Sequence, residues 1–427
     1  MDQLVYAGTF TGAFILFCLL ISVRQKTATS GSDFSVAGRA LTASQVSWVI
    51  IGTLVGGVST IGTVQSAYDH GISAWIFTLG SGISCFILGC FFAAALRKEE
   101  VVTVSQFLGR YFGRGFQYYA SVFNSFGMFI HIIAQYLAAM AILNSVFPLP
   151  QPLAIIITML LMGFFVISGG ISGAGMVGKV KFFMLYGIMI AAAVTALVRG
   201  GEQMLSSLTE DTEFLNFFTH GMGPTLLDLG AMITGVLSTQ IYLQAVFSAK
   251  TIRQARNGAF LSALVIPPIG ILGIIVGLYL RAHYPELDGA SAQALPFFFK
   301  QAFAPALAAV CSAVLLLAIL GTGAGLVLGV TTNVYMDGIQ QVLRKKDSLT
   351  AVRLCTLAVL VLSAGIVFLG FDRAILQWSY LSMGCRGASV FAGLCIAVFM
   401  GRCKFSPIVR AGLYLLPICY LILQIFG

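Results

Sequence analysis

The sequence predicts an all-α polytopic membrane protein of about twelve transmembrane helices. Ten of these helices form an inverted-repeat core of two sets of five, and one extra helix stands at each end. Of the 427 residues, 58% are hydrophobic and only 9% are charged, whereas soluble domains carry about 25% charged residues. Apolar runs long enough to cross a bilayer recur along the chain, and basic residues alternate between the connections.

The predicted spans leave no stretch for a separate soluble domain. They lie near 3–23, 45–70, 73–96, 117–147, 153–169, 179–199, 224–248, 255–281, 303–335, 350–370, 374–400 and 406–426. The short basic segment 103–116 predicts an interfacial helix rather than a span. No basic stretch precedes the first apolar run, so we expect it to be kept as a helix rather than cleaved as a signal peptide.

The distribution of charge predicts the orientation in the cell membrane. Nineteen of the 24 Lys and Arg residues fall in alternate connections, among them Lys179 and Lys181, and four fall in the opposite ones. The positive-inside rule then places both termini on the extracytoplasmic side. The net charge of +9 is explained by this asymmetry, and no nucleic-acid partner is expected. The nine cysteines lie in or beside apolar segments without metal-binding spacing, so we expect reduced, apolar-facing thiols.

The core divides into two sets of helices, at about 45–199 and 224–400. Five is an odd number, so the two sets must run in opposite orientations. Each set opens with a glycine-interrupted helix, at Gly52 to Gly57 in the first and at Gly230 and Gly235 in the second. Broken helices at corresponding positions indicate the midplane site of a transporter, where unwound backbone binds an ion and a solute. The alternative is close helix packing through small residues.

Six motifs occur in order along the chain. They are DFSVAGRALT (33–42), GTVQSAYDHG (62–71), TVSQFLGRYFG (103–113), SGGISG (168–173), TQIYLQAVFSAKTIRQARNGAF (239–260) and LAILGTGAGLVLGVTTNVYMDGI (317–339). Together they resemble the signatures of the solute:sodium symporter family over about residues 33–400. Val64 and Gln65 replace a Pro-Gly pair of the second signature, and the third lacks its Pro and Glu. The resemblance implies the five-plus-five inverted-repeat transporter fold.

The resemblance also implies a sodium site that joins the first and eighth core helices, with Na⁺ as coupling ion and no other cofactor. Its expected ligands are backbone carbonyls and hydroxyl positions at Gly52, Val55, Ala318, Gly321 and Thr322. Neutral oxygens suit a hard monovalent cation. Gly321 lacks the hydroxyl that the family carries there. The aspartate that many members carry after the Gly-Gly turn matches Gly178, which is followed by Lys179.

Substrate contacts in this fold come from core helices one, three, six and ten. The matching or facing candidates are Ser59, Thr60, His131, Gln135, Thr239, Gln240, Gln244, Trp378, Ser382 and Arg386. Each could instead be an interhelical hydrogen-bonding residue. His131 and Gln135 are four residues apart and share one helix face. His131 is either a group that titrates near neutral pH or a hydrogen-bonded core histidine.

Arg386 is an intramembrane arginine, which is costly and therefore a functional candidate. It either pairs structurally with a carbonyl or with Asp228, or it forms a two-pronged contact with an anionic substrate. The second interpretation predicts a solute with a carboxylate, such as an amino acid or a short organic acid.

The predicted function is import of a small polar solute with sodium by alternating access, with the solute, sodium and the bilayer as partners. A proton-coupled or uncoupled carrier is an alternative that the missing hydroxyl at Gly321 suggests, and a membrane sensor is another. Neither paired acids, a His–Glu metal motif nor a nucleophile–base set is visible in the sequence, so an enzyme is not expected.

Overall fold

A computed structural model describes residues 2–24, 30–147, 149–167, 170–210, 212–219, 221–287, 291–340, 348–369, 375–401 and 407–426. Within these ranges the chain is almost entirely helical, as predicted, apart from one isolated bridge between Leu41 and Ala249. Some predicted connection residues lie outside the described ranges, namely Lys26, Ser168, Gly169, Arg344, Lys345, Lys346, Arg373, Arg402 and Lys404.

The α-helices are numbered along the chain. They are α1 Asp2–Arg24, α2 Gly31–Val36, α3 Ala43–Leu54, α4 Thr63–His70, α5 Ile76–Ile87, α6 Ala93–Lys98, α7 Val104–Phe112, α8 Arg114–Val146, α9 Gln151–Ile167, α10 Gly170–Glu210, α11 Met222–Val236, α12 Gln240–Phe247, α13 Ile252–His283, α14 Ala294–Ala302, α15 Pro305–Asn333, α16 Leu349–Phe368, α17 Ile375–Phe399 and α18 Pro407–Phe426. Short 3₁₀ turns span Ala37–Arg39, Gly71–Trp75, Thr212–Leu215, Pro285–Leu287 and Ser291–Gln293, and π-helical turns span Val58–Gly62, Leu88–Phe92 and Val334–Gln340.

Eight helical stretches in the described part of the chain are long and apolar enough to cross a membrane. Shorter apolar helices lie at Val5–Cys18, Ala43–Leu54, Gln151–Ile167 and Ala411–Ile422. Together they indicate a multi-pass membrane protein, while the count of twelve spans and the orientation of the termini stay predictions. The segment predicted to be interfacial contains α7, whose first turn is capped by the side chain of Thr103.

Both predicted helix interruptions exist, but the second does not lie at its glycines. The first core helix breaks after Leu54, where Val55 is extended with ψ 104°. In the second set, α11 continues through Gly235, and the break comes at Leu237–Thr239, where Thr239 has φ −75° and ψ 121°. A Cβ on Gly235 would lie 2.5 Å from Cβ of Met383. This glycine therefore serves close packing, and the prediction that it opens the helix is wrong.

The fifth core helix begins earlier than predicted. The sequence suggested a span at 179–199, whereas α10 runs from Gly170 to Glu210 with a kink at Gly201. Lys181 therefore lies eleven residues inside a helix, not in a basic connection, and it is 1% exposed. Lys181 must be removed from the group of residues that predict the topology.

Two junctions position the candidate site. At the first, α3 and α10 pack against each other and against α15, in which every residue from Cys311 to Asn333 is buried. A Cβ on Gly52 would lie 2.5 Å from Cα of Gly178, so α3 and α10 touch backbone to backbone. At the second, α17 packs against both α8 and α11.

Candidate functional site

The first junction brings together the oxygens that were predicted to bind sodium. The Thr322 hydroxyl lies 3.4 Å from the Gly52 carbonyl oxygen and 3.3 Å from the Val55 carbonyl oxygen. The Ala318 carbonyl faces the same break, since a Cβ on Gly56 would lie 3.3 Å from that oxygen. The mapped positions on α3 and α15 therefore face one another as expected.

A lysine side chain lies among these oxygens. The Lys181 ammonium donates hydrogen bonds of 2.5 Å to the Gly52 carbonyl and of 2.5 Å to the Thr322 hydroxyl. Lys181 forms no ion pair with any residue that the structure describes. Sequence reasoning missed this residue, because Lys181 was assigned to a basic connection before the predicted fifth core helix.

Gly321 faces the same lysine. A Cβ at Gly321 would lie 2.7 Å from Cγ1 of Val177, 3.6 Å from Cδ of Lys181 and 3.9 Å from its Nζ. The position at which the family hydroxyl is missing is therefore filled by α10 side chains, and one of these carries a positive charge.

The second junction is centred on the Arg386 guanidinium, which is fully buried. Its Nη1 donates to the Thr239 hydroxyl at 2.8 Å, and its Nη2 donates to the Ser382 hydroxyl at 2.8 Å. Its Nε donates to the Ser382 carbonyl at 3.1 Å, and Nη2 also contacts Sδ of Met383 at 3.1 Å. All of these partners are neutral. The second helix break, on which Thr239 lies, is thus tied to α17 by a cation.

His131 completes this junction from α8. Its Nδ1 lies 3.1 Å from Nη2 of Arg386. Arginine can only donate, so Nδ1 must accept and the proton of the neutral ring lies on Nε2. In the described structure this buried Nε2 has no hydrogen-bond partner, and neither atom of the Gln135 amide has one. Unpaired buried polar groups are costly, and they require an explanation such as a missing ligand.

Gln135 links the two junctions. A Cβ on Gly57 would lie 3.2 Å from Oε1 of Gln135, so the amide lies against the first helix break. His131, one turn earlier on the same face of α8, lies against Arg386. The described unpartnered polar atoms of α8 therefore lie between the two breaks, at the place expected for a solute.

Three other predicted contacts have partners of their own. The Ser59 hydroxyl accepts from the Gly56 amide at 2.8 Å, and the Thr60 hydroxyl donates to the Gly56 carbonyl at 2.6 Å. The Gln240 amide bonds to the backbone of Val102 and Val104. Ser59 and Thr60 thus lie at the first break, whereas Gln240 holds the segment that precedes α7.

The remaining candidates are Gln244, Ser382 and Trp378, of which Ser382 bonds to Arg386. The Gln244 amide donates to the Ser35 carbonyl at 2.6 Å, so Gln244 is not brought together with Arg386. Ser382 also donates to the Gly127 carbonyl at 2.5 Å and lies beside Arg386. Trp378 is buried on α17, one turn before Ser382.

Asp228 does not reach Arg386. It lines a cavity of about 380 Å³ together with Gly62, Gln65, Ser66, Asp69, His70, Pro224, Leu376, Gln377 and Tyr380. No ion pair joins Arg386 to a described acid. The structural pair with Asp228 is therefore not formed in this structure, and the wall of the cavity contains two acids, Asp69 and Asp228.

Known proteins resemble this chain along most of its length. A family model described as the sodium:solute symporter family matches residues 34–407. An uncharacterized symporter, YwcA of Bacillus subtilis, is 23% identical over 378 residues, which is 82% of this chain and 74% of the relative. The sodium-coupled monocarboxylate transporter 2 of Mus musculus is 22% identical over 332 residues, which is 71% of this chain. The chain spans about half of that relative, 52% of its length.

Solved structures show the same fold. A Na⁺-coupled sialic acid symporter in a substrate-bound, outward-open state aligns with a TM-score of 0.73 and 16% identity, covering 93% of this chain and 87% of that one. Mhp1, a nucleobase-cation-symport-1 family transporter, aligns with a TM-score of 0.62 and 13% identity, covering 92% and 84%. These similarities confirm the predicted transporter fold.

Proposed function

We propose, on the premise that the chain belongs to the sodium:solute symporter family, that it imports a small polar solute bearing a carboxylate by alternating access. Family membership indicates a transporter rather than an enzyme. The observation that carries the carboxylate is the Arg386 guanidinium, which is fully buried and contacts only neutral described groups.

An uncompensated buried charge costs several kcal/mol, and a membrane interior makes it harder to relieve. Thr239, Ser382 and His131 supply dipoles but no negative charge. The guanidinium has five N–H donors in a fixed fork. Its planar geometry matches a carboxylate, which accepts two parallel hydrogen bonds. A carboxylate solute would therefore neutralise Arg386 during each transport cycle.

The other end of the solute would meet α8. The buried Nε2–H of His131 is a donor, and the Gln135 amide offers a donor and an acceptor, all without partners in the described structure. A hydroxyl, amine or second carbonyl a few ångströms from the carboxylate would satisfy them. These groups favour a small polar acid over a purely aliphatic one.

The route to this site is proposed to begin at the cavity lined by Asp69 and Asp228. Leu376 lines this cavity and packs on Gly62, where a Cβ would lie 2.5 Å from its Cδ1. Arg386 lies further along α17 than Leu376, and Arg386, His131 and Gln135 are all buried. Movement of α17 relative to α4 would open the Arg386 site toward this cavity.

The coupling ion follows less directly. Family membership supports sodium as a transported species together with the solute. The second candidate function is a carrier that does not need sodium, and the specific observation that favours it is the Lys181 ammonium at the expected sodium ligands.

The test of the carboxylate uses matched pairs of compounds. The purified full chain is heated with amino acids and short hydroxy acids, and each is compared with its uncharged amide. A ligand that binds the native state raises the melting temperature as its concentration exceeds its dissociation constant. We expect at least one acid to stabilise the protein and to drive counterflow in proteoliposomes, while its amide does neither. Equal stabilisation by an acid and its amide would contradict the role of Arg386.

A further inference from the structure

Lys181 occupies the place where this fold would hold a coupling cation. We propose that the Lys181 ammonium is a built-in cation that replaces sodium at the junction of α3, α10 and α15, so that the chain carries its solute without binding sodium. The proposal concerns the cation alone and does not depend on which solute is carried.

The donor set explains why an ammonium fits. Sodium and an ammonium group both require several neutral oxygens in place of water. The Gly52 carbonyl and the Thr322 hydroxyl, two of the predicted sodium ligands, each accept a hydrogen bond of 2.5 Å from Lys181. A sodium ion would need the same two oxygens, and it would meet an equal charge at bonding distance. The two cations therefore exclude each other.

The helix that carries Lys181 is fixed close to these oxygens. Gly52 and Gly178 bring α3 and α10 into backbone contact, and Lys181 follows Gly178 by less than one turn. The lysine is 1% exposed, so its ammonium is enclosed by protein in this state. The close packing leaves Gly52 and Thr322 as its acceptors.

Gly321 fits the same interpretation. A sodium site of the family would gain a hydroxyl at this position, whereas a side chain there would crowd Val177 and approach Nζ of Lys181. The loss of a sodium ligand at Gly321 and the gain of a cation at Lys181 thus lie side by side. The Lys181 ammonium thus removes the need for the hydroxyl that Gly321 lacks.

Sodium binding to the purified full chain tests the proposal without knowledge of the solute. Binding of radioactive ²²Na⁺ is measured by equilibrium dialysis, and melting temperatures are compared in NaCl and KCl at equal ionic strength. We expect no saturable sodium binding by the unmodified protein and equal melting temperatures in the two salts. Saturable binding at millimolar sodium would overturn the proposal.

Variants at Lys181 supply the converse test. In Lys181→Ala the freed oxygens should bind sodium, so that NaCl raises the melting temperature above its value in KCl. Lys181→Met provides a second variant of similar length if alanine does not fold. Lys179→Ala is the matched control, since Lys179 is exposed on the same helix. Folded Lys181 variants that bind no sodium would also overturn the proposal, because these oxygens would then form no cation site.

The outcome is separable from the proposed transport of a carboxylate. If acids stabilise the protein and sodium binds saturably, the built-in cation is wrong and the solute class stands. If sodium does not bind and acids and amides act alike, the solute class is wrong and the built-in cation stands.

Discussion

Lys181 and Arg386 are both buried cations inside a membrane protein, yet their surroundings differ. Lys181 donates to the Gly52 carbonyl and the Thr322 hydroxyl on two core helices, with short bonds of 2.5 Å. Arg386 shares its donors among Thr239, Ser382 and His131, beside polar atoms that have no described partner.

From this difference we expect Lys181 to act as a structural cation and Arg386 to face a ligand. Two described oxygens accept from the three N–H donors of Lys181, and both belong to the sodium ligands predicted from the sequence. Beside Arg386 the Nε2 of His131 has no described partner, and the unpartnered Gln135 amide, one turn along α8, lies against the first break, so hydrogen-bonding capacity for another molecule lies between the two cations. One buried cation thus lies at each helix break: Lys181 on predicted sodium ligands at the first, and Arg386 beside the unpartnered Nε2 of His131 at the second.

The largest effect is expected at Arg386. Arg386→Ala should reduce uptake of the identified acid about 100-fold, and Arg386→Lys about tenfold, because hydrogen bonds to charged groups contribute about 1.5–3 kcal/mol and a point charge cannot reproduce the fork. Initial uptake rates in proteoliposomes and melting temperatures are measured together. The control Arg253→Ala changes an exposed arginine. Normal transport by a folded Arg386→Ala protein would show that Arg386 is a structural residue and not part of the solute site.

The second prediction tests the backbone contact between α3 and α10 beside Lys181. Gly178→Ala places a Cβ against the Trp48 carbonyl oxygen, which forces α10 away from α3. We expect destabilisation of about 1–3 kcal/mol, the usual cost of overpacking. Gly187→Ala on the same helix is the matched control, because nothing lies within 4 Å of its Cβ position. Equal melting temperatures for the two variants would contradict the backbone contact.

The third prediction concerns Thr322. Thr322→Ala removes one of the two described acceptors of Lys181 and should lower stability by about 1–3 kcal/mol, the cost of leaving a buried polar group unsatisfied. If Lys181 replaces sodium, uptake should be equally insensitive to sodium before and after this change. Uptake that sodium stimulates in the unmodified protein, and no longer stimulates in Thr322→Ala, would establish the sodium site instead.

The smallest effect is expected at His131. His131→Phe keeps the ring volume but removes both nitrogen atoms, including the free Nε2–H. A typical hydrogen bond contributes about 0.5–1.5 kcal/mol, so the affinity for the acid should fall about 2- to 12-fold. Dissociation constants from thermal stabilisation measure the change. An unchanged affinity would remove His131 from the solute site and leave it as a support for Arg386.

Much of this arrangement was predictable from sequence. The helical fold, the paired breaks and the buried Arg386 followed from apolar length, glycine placement and an arginine far from any span end. The second break was placed wrongly because Gly235 serves packing against Met383, while the residues that do unwind, Leu237 to Thr239, contain no glycine or proline to mark it.

Lys181 was missed for a related reason. A lysine near the predicted start of a span is ordinarily assigned to a connection, and the sequence does not show that α10 starts at Gly170. Gln244 was predicted at the solute site by its helix, but its register on α12 directs it to the Ser35 carbonyl. Which face a short helix presents depends on packing between distant segments, and a single sequence carries little of that information.

The contact between Gly52 and Gly178 has a mechanical consequence. If α3 and α10 tilt relative to each other about this contact, each residue moves by an amount that grows with its distance from the contact. Lys181 is three residues from Gly178, about 4.5 Å along the helix axis, whereas Gly200 is about 33 Å from Gly178. A tilt of about 15°, comparable to known subunit rotations, would move these two points by about 1 Å and about 9 Å. A tilt that moves the far end of α10 by several ångströms would thus leave the Lys181 ammonium close to the Gly52 carbonyl.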